Sequence, residues 1–431
     1  MSLADQASLL LIPTGYKSQK VYSIFPTDGD GDFDFSRSSS ATRIAKNGLI
    51  TTVAANVPRL NYPLIDGVVS GCPSLLLEPQ RTNIIPFSEA FDNAVWQKNQ
   101  SSIIANATIS PDGTLNASKL IEDNTSNFHR IIEEVDLVSS DYSHTVFAKA
   151  SERKYFVLRN NINGTNVNAC FDLENGVVVY NGFDEAKIEY YGNGWYRCFI
   201  KETSTSTSPR SFSLMTSDKE VLNNNIPSYQ GDGASGLYIW GAQVEEGSYV
   251  TSYIPTNGTT VTRLAETCNN SGNANTFNDS EGVLMAEISA LADSSETSVI
   301  SISNNSITEK VLIALLFGTT IRLEANMSSG TDFLLDVPIN IHLNNKVCIQ
   351  YKSNQYKVFV NGISYSLTQT STTPSGLLDL SFDRGDGTRN FNGNTKQLQY
   401  FDTALTDIEL EQLTSWTSFT DMAEGQLYSI E

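Results

Sequence analysis

The sequence is poor in the residues that most often carry catalysis and metal binding. Its 431 residues include only three histidines, His129, His144 and His342, and none lies near a recognisable nucleophile string. The five cysteines, Cys72, Cys170, Cys198, Cys268 and Cys348, are odd in number and widely scattered. Without a CxxC pair, a zinc site and a disulfide framework are both disfavoured, and reduced thiols are expected. There is no G-x-S-x-G elbow, no HExxH, no P-loop and no G-x-G-x-x-G after a strand. The expectation is therefore a non-enzyme, with no catalytic residue assigned and no cofactor. A glycosidase carboxylate pair is the one active site these absences do not address, because its spacing is spatial. Glu133-Glu134 and Glu245-Glu246 are read as surface pairs.

Positive charge is also scarce. Lys and Arg total 28 against 48 Asp and Glu, for a formal net charge of −20. Such a surface repels phosphate, which argues against nucleic-acid binding and against adhesion to anionic lipid. Long apolar runs are missing too. Leu9–Ile12 stops at Pro13 with no Lys or Arg before it, so no signal peptide is expected. No stretch approaches the ~20 apolar residues of a membrane span. Synthesis in the cytoplasm is the simplest expectation.

In place of charge, which is 18% of residues, the chain is filled with Ser, Thr and Asn. These residues favour turns and solvent-facing strand positions over helix interiors. An all-β protein follows, long enough for roughly two to three domains of about 150 residues. Texture divides it into an irregular N-terminal region (1–85), a first sandwich (86–265) and a second (280–431), with the polar Cys268–Asp279 segment read as a linker.

Local patterns are clearest in the last unit. Val347, Ile349 and Tyr351 alternate with Cys348, Gln350 and Lys352, as in a half-buried strand. Tyr356, Val358 and Val360 repeat the pattern after Ser353-Asn354-Gln355. Asn361-Gly362 then precedes Ile363, Tyr365 and Leu367, which predicts a tight hairpin and three consecutive antiparallel strands. Thr406 with Glu409 reads as a capping box, opening a short helix with Leu405, Ile408, Leu413 and Trp416 on one face. No internal repeat of 20 to 50 residues disturbs this picture, so solenoids and propellers are disfavoured.

Two groups of carboxylates are candidate calcium ligands. Asp28, Asp30, Asp32 and Asp34 occur at spacing two, which can place them on one side of an extended segment. An EF-hand is excluded, since position 12 from Asp28 is Ser39. Asp383 and Asp386 form a second acidic turn around Arg384 and Gly385. The bland reading of both is a solvated turn that protects an edge. Among the aromatics, Tyr190 and Tyr191 flank a Gly-Asn-Gly turn and are candidate sugar-stacking platforms. Trp195 and Trp240 are expected to pack a core.

Several strings resemble a family of phage and prophage virion proteins of the tail-fibre type. They include Leu11–Lys17, Gly31–Arg37, Asn56–Leu60, Cys72–Asn83, Phe87–Phe91, Gly192–Arg197, Gly236–Glu245 and Thr251–Thr256. Together they run in order over roughly residues 8–263. The resemblance implies a carbohydrate-binding-module-like jelly roll at the centre. Lys357–Gly362 and Gln399–Leu405 with the capped helix resemble a concanavalin/laminin-G-like sandwich, a class that sometimes places calcium in acidic loops such as that of Asp383 and Asp386. The implied protein is a virion component of tail or head, homotrimeric as phage fibres commonly are. It would bind a host-surface glycan or protein and other virion proteins, with residues 1–85 as the anchor. The alternatives are a purely structural decoration protein and a polysaccharide depolymerase, although depolymerase spikes usually use long β-helices.

Overall fold

The computed structural model describes residues 3–162, 165–205, 208–291, 297–316, 319–365 and 372–415. The chain is all-β, as composition predicts, and builds tandem β-sandwiches. Among the described residues the single α-helix is Asp407–Thr414.

The central sandwich faces two six-stranded antiparallel sheets against each other. One contains His129–Leu137, Tyr155–Ile162, Thr165–Asp172 and Ser208–Ser217. The other contains Leu115–Glu122, Ser140–Lys149, Trp195–Ser204 and Gly236–Glu246. Alternate residues from both point inward, so Ile131, Val146, Phe156, Phe171, Ile200, Phe212 and Leu237 share one core. Trp195 and Trp240 are buried in a neighbouring cluster with Phe147 and Tyr253, as anticipated. The same alternation corrects the reading of two glutamate pairs. Glu133 and Glu245 lie on inward or covered faces, 4% and 0% exposed, because adjacent strand residues point to opposite sides.

The second sandwich stacks an eight-stranded sheet on a five-stranded one. The predicted hairpins are present. Lys352 pairs with Gln355 and Val360 with Ile363, and Asn361 and Gly362 adopt φ of 53° and 81°. Leu367 falls outside the described residues. Strand Asn345–Lys352 is not half-buried, however. Val347, Ile349 and Tyr351 enter the main core, while Cys348 is buried on the other face beneath the helix. The helix has the expected reciprocal cap between Thr406 and Glu409. Its buried face is Leu410, Leu413 and Thr414, whereas Ile408 is 67% exposed. Ile408 and Leu413 are five positions apart and so fall on different sides of a 3.6-residue helix. Trp416 lies outside the described residues.

The N-terminal region does not stand apart from the second sandwich. Strand Gly393–Phe401 pairs along one edge with Glu281–Ala290. Its other edge is completed by Leu9–Leu11 and Ser74–Leu77. Leu9, Leu11, Leu75 and Leu77 are buried in that sandwich's core. These two extended segments of residues 1–85 are thus paired within the chain. Nor is Cys268–Asp279 a linker. Thr267–Asn269 forms a strand against Phe33–Ser36, and Cys268 and Ser271 are fully buried. A polar sequence fits such a place because its amides have partners, described below.

Candidate functional site

Arg37, Arg59 and Glu78 come from three separate strings of the N-terminal region, and they meet in the interior. Glu266 takes Arg37 at 2.6 Å and also pairs with Arg59. Glu78 takes Arg59 at 2.7 Å and Arg263 at 2.9 Å. All five side chains are at most 3% exposed. Burial alone would push the Glu78 carboxyl up, but the Arg263 and Arg59 charges and Ser252 hydrogen bonds hold it down at about 2. Nearby Glu245, fully buried, accepts from the Thr251 amide at 2.8 Å and hydroxyl at 2.6 Å. Three arginines therefore share two glutamates, and Glu245 beside them is held by Thr251. These residues hold the N-terminal segments against the end of the central sandwich; their chemistry is structural.

The two acidic turns are also engaged. Asp32 accepts from the Ser23 amide, Asp28 from the Asp30 amide, and Asp30 from Asn273 at 2.6 Å. Asp34 pairs with Lys20 at 2.7 Å and accepts from Asn270. Asp383 accepts from Asn269 at 2.9 Å and from the Gly385 amide, while Asp386 pairs with Arg384 at 2.7 Å. The would-be linker thus supplies Asn269, Asn270 and Asn273 as amide donors to both turns. Among the described residues, no group of three or more His, Cys, Asp or Glu side chains is placed to hold a metal ion. The candidate calcium ligands are distributed over separate partners rather than brought together.

The tyrosines separate as well. Tyr190 is 37% exposed, its ring 4.9 Å from Tyr196 and its hydroxyl accepting from the Gly194 amide. Tyr191 points the other way, edge-on to Phe147 at 4.9 Å, into a recess of about 190 Å³.

That recess adjoins a larger concavity. The outer face of the central sandwich carries Glu185 opposite Lys201, Lys187 opposite Phe199 and Glu189 opposite Arg197. These side chains form one wall of a cleft of about 440 Å³, with Tyr249 beside them and Leu291 and His342 contributed by the second sandwich. The recess and the cleft share Glu189, Arg197, Val250 and Leu291. Arg197 is held by the Thr251 carbonyl at 2.9 Å and stacks over Phe147 at 5.4 Å, leaving its Nε buried without a partner. Tyr249 lies beneath the Arg81 guanidinium at 5.1 Å. Such a surface offers flat rings and paired charges to a hydroxylated ligand. Sequence reasoning located Tyr191 but missed Lys187, Arg197 and Tyr249. Their juxtaposition depends on how two sandwiches dock, which leaves no local signal.

No family model matches the sequence, and no match among curated proteins reaches significance. Solved structures give partial likenesses. The CBM40 of Ruminococcus gnavus IT-sialidase is 18% identical, covering 32% of this chain and 84% of that one, with a TM-score of 0.29. A leech intramolecular trans-sialidase is 18% identical over 33% of this chain and 24% of its own, also at 0.29. Domains LG4-5 of the mouse laminin α1 chain are 9% identical, covering 64% and 86%, at 0.24. At these scores no residue, ligand or activity is carried over.

Proposed function

We propose that this chain is a non-catalytic glycan-binding structural protein, of the phage virion-appendage kind its sequence strings resemble. The observation that supports the reading best is the cleft between the sandwiches. It combines a tyrosine, two lysines, an arginine and two glutamates in about 440 Å³. Sugars are held by this combination: ring faces against aromatic surface, and hydroxyls against charged groups fixed by their neighbours. In this reading the host-surface ligand enters the cleft, and the assembled protein is a homotrimer that contacts other virion proteins.

A glycan array with the purified full chain tests the binding. Saturable, glycan-specific binding that is lost in Tyr249→Ala and reduced in Lys187→Ala is expected, without release of shortened product. Unchanged binding in both variants would remove the cleft from consideration. Product release would replace the adhesin with a depolymerase. Light scattering at micromolar concentration checks the assembly, and a monomeric mass would contradict the trimer.

A further inference from the structure

The second sandwich carries a positively biased groove on the outer face of its five-stranded sheet, in a protein whose net charge is −20. Strand Lys310–Leu316 sends Val311, Ile313 and Leu315 into the core, so Lys310, Leu312, Ala314 and Leu316 face outward. With Val299, the last three make an apolar floor that is largely buried although it belongs to no sandwich core. Over this floor stand Lys310, Arg322, Arg384 and Arg389, with Glu324 the opposing carboxylate in the lining.

Two of these cations are already answered. Arg322 makes a bidentate pair with Asp336 at 2.7 and 2.8 Å, and Arg384 pairs with Asp386 at 2.7 Å. The others are not. Lys310 is 3% exposed, yet its ammonium has no hydrogen-bond or ion-pair partner among the described residues. Arg389 has no side-chain partner there either. Arg384 Nε and Asn326 Oδ1 are buried without a partner. A lysine buried to this degree with no counter-ion for its ammonium is costly, and proteins normally pair such a group. Burial first, then Arg384 and Arg389, press Lys310 below the ordinary lysine range, against the pull of Glu324 and Asp386.

We infer that this groove is an anion-binding subsite, in which Lys310 and Arg389 take the carboxylate or sulfate of an acidic sugar while Leu312 and Ala314 lie against its apolar face. The groove encloses about 210 Å³. That is below the ~300 Å³ at which drug-sized ligand pockets begin, so a single acidic residue fits better than an oligosaccharide. The site lies on a different sandwich wall from the cleft and does not depend on it.

Calorimetric titration of the full chain at constant ionic strength tests this, with sodium glucuronate, glucose and sodium sulfate as probes. Glucuronate should bind and glucose should not. Lys310→Met and Arg389→Gln should each weaken glucuronate at least about tenfold, with unchanged circular dichroism. Tyr249→Ala, in the cleft, should leave it unaltered, which separates this site from the proposed function. Sulfate binding better than glucuronate supports the pocket and assigns it a sulfate-bearing ligand. Equal heats for glucose and glucuronate, or glucuronate binding that survives Arg389→Gln, would overturn the proposal. Arg389 is exposed, so its variant keeps the test decisive if Lys310→Met does not fold.

Discussion

The buried junction of the N-terminal region and the groove of the second sandwich use the same residue types to opposite ends. At the junction, Arg37, Arg59 and Arg263 each meet a glutamate carboxylate within 2.9 Å, so each charge is answered by the protein. In the groove, Lys310 is nearly as buried and has no answering carboxylate within ion-pair distance. Burial alone does not separate a structural charge from a functional one. What separates them is whether the protein itself supplies the counter-charge.

The comparison is sharpened most by Arg59→Met. Removing this side chain leaves Glu266 and Glu78 short of a partner, and breaking a buried pair typically costs about 3–5 kcal/mol. Urea unfolding should show that loss, and a cost under about 1 kcal/mol would break the account of the junction. The acid side follows from Glu78, whose folded value of about 2 lies below its ordinary 4.5. Its contribution is present above pH 4.5 and lost as pH falls toward 2. Glu78→Gln should flatten the stability profile in that window, and an unchanged slope would contradict it.

A third prediction has the reverse sign. Burial and the neighbouring Glu134 raise Glu133 from 4.5 to about 7. A raised acid stabilises the fold below pH 4.5 and loses that contribution as pH rises through 7. Glu133→Gln should therefore match the parent at pH 4.5 and melt at least ~2 °C higher at pH 8. A smaller effect, about 1 kcal/mol, is expected from Asn270→Ala, which removes an amide donor to Asp34 and with it one join to the first acidic turn.

Sequence made the local features legible. Period-2 alternation located the strands around Val347–Val360, Asn361-Gly362 marked its hairpin, and Thr406 with Glu409 marked the helix start. What stayed hidden was long-range. Nothing in Leu9–Leu11 announces that it pairs with Leu398–Tyr400, so residues 1–85 read as a separate unit. The asparagines of Cys268–Asp279 look like linker composition until their carboxylate partners, far away in sequence, are in place. The Asp28–Asp34 series looked like one ligand set because spacing cannot show that each carboxylate has a different partner. Lys310 gave no signal, since its isolation is defined only by what the fold fails to place beside it.

The most direct measurement is urea unfolding of Lys310→Met beside Arg59→Met at pH 7. Lys310→Met should be as stable as the parent or more stable by up to about 1 kcal/mol, because an unanswered buried charge has been replaced by an apolar side chain. Arg59→Met should be several kcal/mol less stable. A loss in Lys310→Met as large as that in Arg59→Met would contradict the distinction between answered and unanswered charges.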